Sequence, residues 1–403
     1  MDPIKQNTTG QKRLGDKGFI AFIAYLSAFI PLSTDLYLPA LPKMASQFQA
    51  DPALVNLTLV CFFVFYAVGI LFWGPLSDKY GRKRILITGL SLYILASGMC
   101  ALAPSIGFLI FARALQAVGS GAVTATGTAL VKDVYEGQKR VAVLAVVQSL
   151  VMVIPMVAPM IGALLLTFTS WRGVFLTLTI AGLLAVLGGL AMEETLKEKS
   201  TEGLLKTMGR LLVVAKNPGL LGLLMTFSLM GIPVMAYVSI SSYIYQEDFG
   251  LNEGTFSLYF GIYAIFAVLG PLVYIRLSKY FHYRPIINIC FGVIAVSGIF
   301  VMLLGSLSPT VFLLCIIPVS LANTMMRPPS ANLMLEQQKT DTGAASSLIN
   351  FTYTLFSSLG MTLISLNWHN RIVTLGALYS SCALLALLLW LFMYKSPRVK
   401  KPG

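Results

Sequence analysis

Charged side chains are scarce in this chain. Asp, Glu, Lys and Arg make up 11% of its 403 residues, whereas soluble domains carry about 25%. Histidine occurs only twice, so no histidine cluster is available for catalysis. The five cysteines lie inside apolar segments without the spacing of metal ligands: Cys61, Cys100, Cys290, Cys315 and Cys382. The sequence therefore predicts no disulfide, no metal site and no cofactor.

Apolar residues are correspondingly abundant. They make up 57% of the chain, with a mean hydropathy of +0.79, which is more than a soluble core can bury without leaving exposed patches. A membrane helix needs about 20 consecutive apolar residues. Suitable runs lie at 18–42, 54–76, 85–103, 106–131, 142–168, 173–192, 218–246, 254–277, 285–306, 309–335, 343–367 and 372–394. We predict an all-α polytopic membrane protein with twelve transmembrane helices.

The basic residues alternate between the loops that join these runs. Lys and Arg fill both tails and the even-numbered loops, whereas the odd-numbered loops hold only Lys43, Arg172 and Arg371. Because cytoplasmic loops carry an excess of Lys and Arg, we expect both termini to be cytoplasmic. The net charge of +13 then reflects topology, and no nucleic-acid partner is expected.

The sequence indicates two related halves. Gly74-Pro75-Leu76 precedes one basic loop, and Gly270-Pro271-Leu272 precedes another in the second half of the chain. The longest polar connection lies between them, and its LLKTMGRLLVV portion has the apolar spacing of a helix that lies on a membrane surface. We predict an N-terminal six-helix bundle at 1–192, a cytoplasmic amphipathic linker at 193–217 and a C-terminal six-helix bundle at 218–403.

Three ionisable residues fall inside apolar runs, where such groups are costly and usually functional. Asp35 is the one carboxylate among them. A carboxyl removed from water resists ionisation, so it can take up and release a proton near neutral pH. The alternative is a solvated position at the outer end of the first helix. Arg113 needs a carboxylate, carbonyls or water unless it snorkels to the surface, and Arg327 is either structural or cavity-lining.

Two segments of the first half have the pattern of a known family. GPLSDKYGRKR, from Gly74 to Arg84, resembles the loop signature between the second and third helices of the major facilitator superfamily. DLYLPALP, from Asp35 to Pro42, resembles the first-helix signature of its bicyclomycin and chloramphenicol resistance (Bcr/CflA-type) members. The resemblance implies the major facilitator fold, with twelve helices in two pseudo-symmetric six-helix bundles.

Two further helices extend the resemblance. Arg113, Gln116 and Gly119 resemble the fourth-helix motif of proton-coupled members, and PMVAPMIGA, from Pro155 to Ala163, is similar to the fifth-helix motif of antiporters. The resemblance implies proton-coupled efflux of small amphipathic drugs or metabolites by alternating access, with Asp35 and Arg113 coupling transport to protons. It also implies gating roles for Gly74, Asp78, Gly81, Arg82, Pro155, Pro159 and Gly162.

Asp78 is expected to meet the start of the eleventh helix near Gly343, where the helix dipole favours a carboxylate, and so to latch the cytoplasmic side. Aromatic, methionine and polar residues inside the spans suit a cavity for a bulky amphipathic ligand. The candidates for substrate contacts are Tyr37, Tyr66, Gln116, Met235, Tyr237, Tyr263, Arg327 and Tyr353.

Two rival functions are considered, one on the same fold and one from another class. A proton-coupled nutrient symporter would share this fold and loop signature, and the direction of flux would distinguish it. An intramembrane enzyme would need paired carboxylates, a histidine cluster or a nucleophile dyad, which one isolated Asp does not supply. No G-x-x-x-x-G-K-[ST] loop is present, which argues against ATP-driven transport. The expected partners are a small-molecule substrate, protons and the lipid bilayer of a bacterial inner membrane, for a protein that is not an enzyme and acts as a monomer.

Overall fold

The computed structural model describes residues 11–196, 209, 213–338, 342–366, 368–397 and 399–400. Within these residues, twelve helices are long and apolar enough to cross a membrane. They are α1 (Gly15–Phe48), α2 (Pro52–Tyr80), α3 (Arg82–Ala101), α4 (Ile106–Val134), α5 (Gly137–Phe168), α6 (Trp171–Ala191), α7 (Pro218–Asp248), α8 (Glu253–Leu277), α9 (Tyr283–Leu304), α10 (Pro309–Glu336), α11 (Ala344–Ile364) and α12 (Arg371–Lys395). The described residues contain no strand, and the predicted all-α fold is confirmed.

The first helix of each half is broken at the same place. Helix α1 is interrupted at Ala28, and helix α7 is interrupted at Leu229 and Met230. Pro31 and Pro233 follow these breaks. Proline has no N–H to donate to the carbonyl four residues earlier, so each break lies where that hydrogen bond is missing. The shared cause supports the predicted relation between the two halves.

The two halves also pack their helices in equivalent pairs. In the first half α2 packs against α4, and α3 packs against α4 and α6. In the second half α8 packs against α10, and α9 packs against α10 and α12. The halves meet where α5 packs on α8 and where α2 packs on α11. These two junctions are equivalent, because α8 and α11 are the counterparts of α2 and α5. The predicted pair of pseudo-symmetric bundles is confirmed.

Both ends of the described chain lie on one side of the helices, which we call the tail side. The Gln11 side chain donates to the carbonyl of Glu193, just beyond α6, at 3.1 Å. The Lys400 amide donates to Oε1 of Gln337, just beyond α10, at 2.9 Å. The opposite side, which carries the loop between α1 and α2, is called the far side. An even number of spans accounts for this arrangement.

The predicted linker falls mostly outside the described residues, because 197–208 and 210–212 are not among them. The boundaries 1–192, 193–217 and 218–403 therefore stay a prediction. The first helix extends further than predicted. Its apolar run stops at Pro42, but Leu41–Phe48 continues as a helix beyond Lys43. Asp35 consequently lies well inside α1 rather than at its outer end.

Candidate functional site

Arg113 is the centre of a buried polar cluster in the first half. It lies on α4 and is fully buried. Its guanidinium donates to the backbone carbonyl of Ser33 at 3.0 Å, to the carbonyl of Thr58 at 3.4 Å and to Oε1 of Gln116 at 2.5 Å. Arg113 is thus held by carbonyls and an amide rather than by snorkelling, and it ties α4 to the broken helix α1 and to α2.

Aromatic rings complete the surroundings of Arg113. The guanidinium carbon lies 4.7 Å from the ring centroid of Tyr37 and 4.3 Å from that of Phe62. The Tyr37 hydroxyl accepts from Arg113 at 3.4 Å, and Gln116 donates to the Ser97 hydroxyl at 2.7 Å. Tyr37 and Gln116, which are predicted to contact substrate, are fully buried in this conformation and form hydrogen bonds with Arg113.

Asp35 ends the middle helical segment of α1, Phe29–Asp35. It is 8% exposed, so the solvated alternative does not describe this conformation. Asp35 forms no ion pair with any described residue, and its predicted partner Arg113 has the partners given above. Asp35 is part of α1, and Arg113 contacts α1 through the Ser33 carbonyl. The charges of the two residues are therefore not paired with each other.

The fifth helix fits closely against the segment that carries Asp35. A side chain at Gly162 would overlap the backbone carbonyl of Leu36, so only glycine allows this approach. Pro155 and Pro159 lie inside α5. The Pro159 carbonyl accepts a hydrogen bond from the Ser257 hydroxyl on α8 at 3.0 Å. This part of α5 thus contacts the first half at Leu36 and the second half at Ser257.

The halves are joined by polar contacts on the far side. Five such contacts occur among the described residues, and all lie in the far half of their helices: Lys43 with Glu253, Gln246 with Pro39, Tyr243 with Leu41, Asn56 with Ser365, and Ser257 with Pro159. The Lys43–Glu253 ion pair spans 2.6 Å. The far side is therefore closed in this conformation.

The signature loop on the tail side holds four helices together: α2, α3, α4 and α6. The Arg82 guanidinium pairs with Asp78 and, at 2.8 Å, with Asp133 at the end of α4. The Glu194 carboxylate accepts from the Arg82 amide at 2.9 Å, and Lys83 donates to the Met192 carbonyl at 2.6 Å. The start of α3 is thus capped by a carboxylate and the end of α6 by an ammonium group, as the helix dipoles favour.

Gly81 makes this capping possible. Its φ is +103°, a conformation that side chains rarely adopt, and an added Cβ would lie 2.5 Å from the Glu194 carboxylate. The expected latch between Asp78 and α11 is not made among the described residues, where Asp78 pairs with Arg82. No described atom lies within 4 Å of a Cβ built at Gly74, so α2 is not closely packed there.

The second half contains a cavity of about 130 Å³ between α7, α10 and α11. Arg327 is exposed there, with its guanidinium carbon 4.3 Å from the ring centroid of Tyr353. Asn323 donates to the carbonyl of Met230, at the break in α7, at 3.2 Å. The other lining residues are Phe227, Ser228, Met326, Ser330, Ala331, Met334, Ile349 and Asn350. Of the predicted substrate residues, the structure brings Arg327 and Tyr353 together at this cavity.

The remaining predicted substrate residues lie elsewhere. Tyr237 and Tyr263 are buried and pack on each other with ring centroids 4.3 Å apart, so they build the core of the second half. Tyr66 stacks on Phe62, with ring centroids 6.3 Å apart, and is half-buried. Met235 is also half-buried.

Sequence reasoning missed several partners. Glu194 and Asp133 contact Arg82 of the loop but lie more than fifty residues away from it in the chain. Local residue spacing therefore does not predict these contacts. Asn323 and Asn350 line the cavity. In the sequence they are marked only as polar residues within apolar spans. Ser33 contributes through its backbone carbonyl, which no side chain can reveal.

Twelve spans in two similar halves, each with a broken first helix, form the architecture of carriers that expose a central site to one side at a time. The sequence model of the Major Facilitator Superfamily matches residues 18–361. The chain therefore belongs to this family of membrane transporters. Among curated proteins it is 32% identical to the uncharacterized MFS-type transporter YdgK of Bacillus subtilis, with 92% of this chain and 93% of that protein covered.

Other relatives support the narrower resemblance. The chain is 27% identical to the multidrug resistance protein MdtL of Shewanella oneidensis, covering 88% of this chain and 92% of that one. It is 26% identical to a bicyclomycin resistance protein homolog of Haemophilus influenzae, covering 71% and 72%. The predicted likeness to drug-resistance members of the family is confirmed.

Solved structures match in fold. A D-xylose–proton symporter is 15% identical, with a TM-score of 0.75 and coverage of 94% of this chain and 97% of that one. A bacterial homolog of the human lysosomal transporter Spinster, solved in an inward-facing and occupied conformation, is 13% identical, with a TM-score of 0.73 and coverage of 95% and 98%.

Proposed function

We propose that this protein exports small amphipathic molecules from a bacterial cell in exchange for protons, by alternating access across the cytoplasmic membrane. Both termini and the tail side face the cytoplasm, because the basic loops lie there. The closed far side then makes this conformation inward-facing. The names of the multidrug and bicyclomycin resistance relatives support export of drugs or similar metabolites. The proposed transport needs a single copy of the protein. It involves neither catalysis nor nucleic-acid binding.

The observation that carries proton coupling is the position of Asp35. Asp35 is buried without an ion pair, next to the α5 segment that contacts both halves. Its surroundings therefore change when the two halves move relative to each other. Asp35 takes a proton when the far side opens and releases it to the cytoplasm when substrate binds. The α-helical segment Phe29–Asp35 ends at this residue, so α1 can bend there when the halves move.

Arg113 and the signature loop have complementary roles. Arg113 keeps a fixed positive charge near α1, which favours release of the Asp35 proton when the helices rearrange. Asp78 leaves Arg82 and meets the start of α11 when the tail side closes, while Glu194 and Lys83 hold the loop in place. One charge crossing the membrane is worth about 2.3 kcal/mol per 100 mV, so one proton supports a gradient of about 40-fold.

The test measures substrate-driven proton movement in proteoliposomes. Asp35→Asn keeps the size and polarity of the side chain but cannot cycle a proton, so we expect transport driven by a pH gradient to fall at least 100-fold. Asp51→Asn is the matched control, because Asp51 is exposed at the start of α2 without a side-chain cap bond. Wild-type transport by Asp35→Asn would refute the assignment, and uptake coupled to inward proton flow would identify a symporter.

A further inference from the structure

The cavity of the second half contains an arginine whose side chain has no ion-pair or hydrogen-bond partner among the described residues. The Arg327 side chain makes no ion pair and no hydrogen bond with any described residue. Its described contact is the face of Tyr353. Arg327 lies nine residues before the tail-side end of α10, about 13 Å along the helix at 1.5 Å per residue. A permanent charge at that depth needs a partner, because charges within a span are costly.

The cavity supplies further groups that suit one end of a ligand. The Tyr353 hydroxyl is buried and has no hydrogen-bond partner among the described residues. Asn350, on the same helix, is exposed. Each of these groups can donate to an oxygen, and the guanidinium of Arg327 offers five donors in a planar fork. Such a fork fits a carboxylate with two parallel hydrogen bonds.

The lining of the cavity also includes apolar side chains. Phe227, Met326, Met334 and Ile349 line the cavity beside the polar groups. Methionine side chains adapt to differently shaped ligands, and an aromatic ring packs well against them. The cavity thus combines a cationic group and further donors with adaptable apolar side chains.

We propose that this cavity binds amphipathic carboxylates, with Arg327 and Tyr353 on the carboxylate and the methionines on the apolar body. This assignment rests on the proposed function, since it names the substrate class of that transporter. Arg327 is a binding residue for the anion, because its planar guanidinium matches the two oxygens of a carboxylate.

The experiment is a titration of the full-length purified protein in detergent with 2-naphthoate and 2-naphthamide. The two probes share their ring system and differ in charge. We expect wild-type protein to bind the acid at least tenfold more tightly than the amide at pH 7.5. Arg327→Gln removes this preference and leaves amide binding within threefold. Arg327→Lys retains part of the preference, because the charge remains while the fork is lost.

Arg284→Gln is the matched control. Arg284 also lies over a tyrosine in the second half, 4.1 Å from the ring centroid of Tyr394, and is not among the residues lining the cavity. Its loss leaves the preference for the acid unchanged. Equal binding of acid and amide by wild-type protein overturns the proposal, as does a preference that survives Arg327→Gln. Melting temperatures of each variant show that the fold persists, and Arg327→Lys provides a second reading if Arg327→Gln does not fold.

An anionic lipid head group shares this chemistry, so the titration is repeated in nanodiscs with and without phosphatidylglycerol. Naphthoate binding that phosphatidylglycerol abolishes overturns the assignment to soluble carboxylates, and binding that persists supports it. The titration needs no gradient. Arg327-dependent binding without proton exchange therefore contradicts the proposed function alone, whereas proton exchange without this preference contradicts the further inference alone.

Discussion

The two arginines inside the spans occupy opposite environments. Arg113, in the first half, is fully buried and donates to two backbone carbonyls, a glutamine and a tyrosine. Arg327, in the second half, is exposed to a cavity and stacks on one ring. A buried charge whose donors are satisfied stabilises one arrangement of helices, whereas a charge with free donors is available to a ligand. Position within a span alone does not distinguish these roles.

The same contrast separates the proposed tasks of the two halves. The first half holds Asp35, the Arg113 cluster and the complete signature loop. The second half keeps the corresponding helix break but has the open cavity instead. If a carboxylate leaves the cell as a proton enters, two charges move down the membrane potential. At about 2.3 kcal/mol per charge per 100 mV, the supported gradient rises from about 40-fold to about 2,000-fold.

Replacing each arginine by alanine gives the largest expected difference between the halves. Arg113→Ala removes the donor from the carbonyls of Ser33 and Thr58 and from Gln116. Each buried group left unpaired costs about 1–3 kcal/mol, so we expect a loss of several kcal/mol and no transport. Arg327→Ala strands no protein group among the described residues, so its stability stays within about 0.5 kcal/mol of wild type. Unfolding in detergent measures both.

Arg113→Lys is the conservative control, because it keeps the charge but has a single ammonium group. We expect it to fold and to transport slowly. A larger loss of stability in Arg327→Ala than in Arg113→Ala would reverse the comparison.

A second prediction concerns the junction where the halves meet. Gly162→Ala places a Cβ against the backbone carbonyl of Leu36, next to Asp35. Overpacking of this kind costs about 1–3 kcal/mol, and we expect transport to fall about tenfold because α1 and α5 separate. Gly261→Ala, on α8 facing α5, is the matched control, since its nearest described atom lies 3.6 Å away. The transport rates of the two variants are compared in proteoliposomes. Equal rates would contradict a gating role for Gly162.

Much of the fold followed from local pattern, whereas the site depended on distant partners. Twelve apolar runs and alternating basic loops predicted the helices, because each span must satisfy its own backbone. Tyr37 and Tyr237 share their residue type with Tyr353, yet only Tyr353 lines the cavity. Which ring faces a cavity depends on how helices pack, and residue type does not encode it. The Glu194 cap could not be predicted from the sequence either, because it joins helix ends that meet only in the folded protein.

The smallest expected effect tests the loop that only the first half keeps in full. Gly81→Ala forces a side chain into a φ of +103° and displaces the Glu194 carboxylate, whose movable end limits the cost. We expect a loss of about 1–3 kcal/mol, because a φ of +103° with a ψ of 147° lies in a region that is essentially restricted to glycine, and a twofold to fivefold slower transport cycle with unchanged substrate affinity. Gly137→Ala is the comparison variant, because it also places a side chain at a positive φ, +52°, and no described atom lies within 4 Å of the added Cβ. The larger effect of Gly81→Ala combines its backbone strain with the displaced Glu194 cap of α3. Glu194→Gln removes the cap alone, and in the Gly81→Ala background it should add little. Equal effects of Gly81→Ala and Gly137→Ala on both stability and rate would mean that backbone strain alone matters and that the cap does not hold the loop.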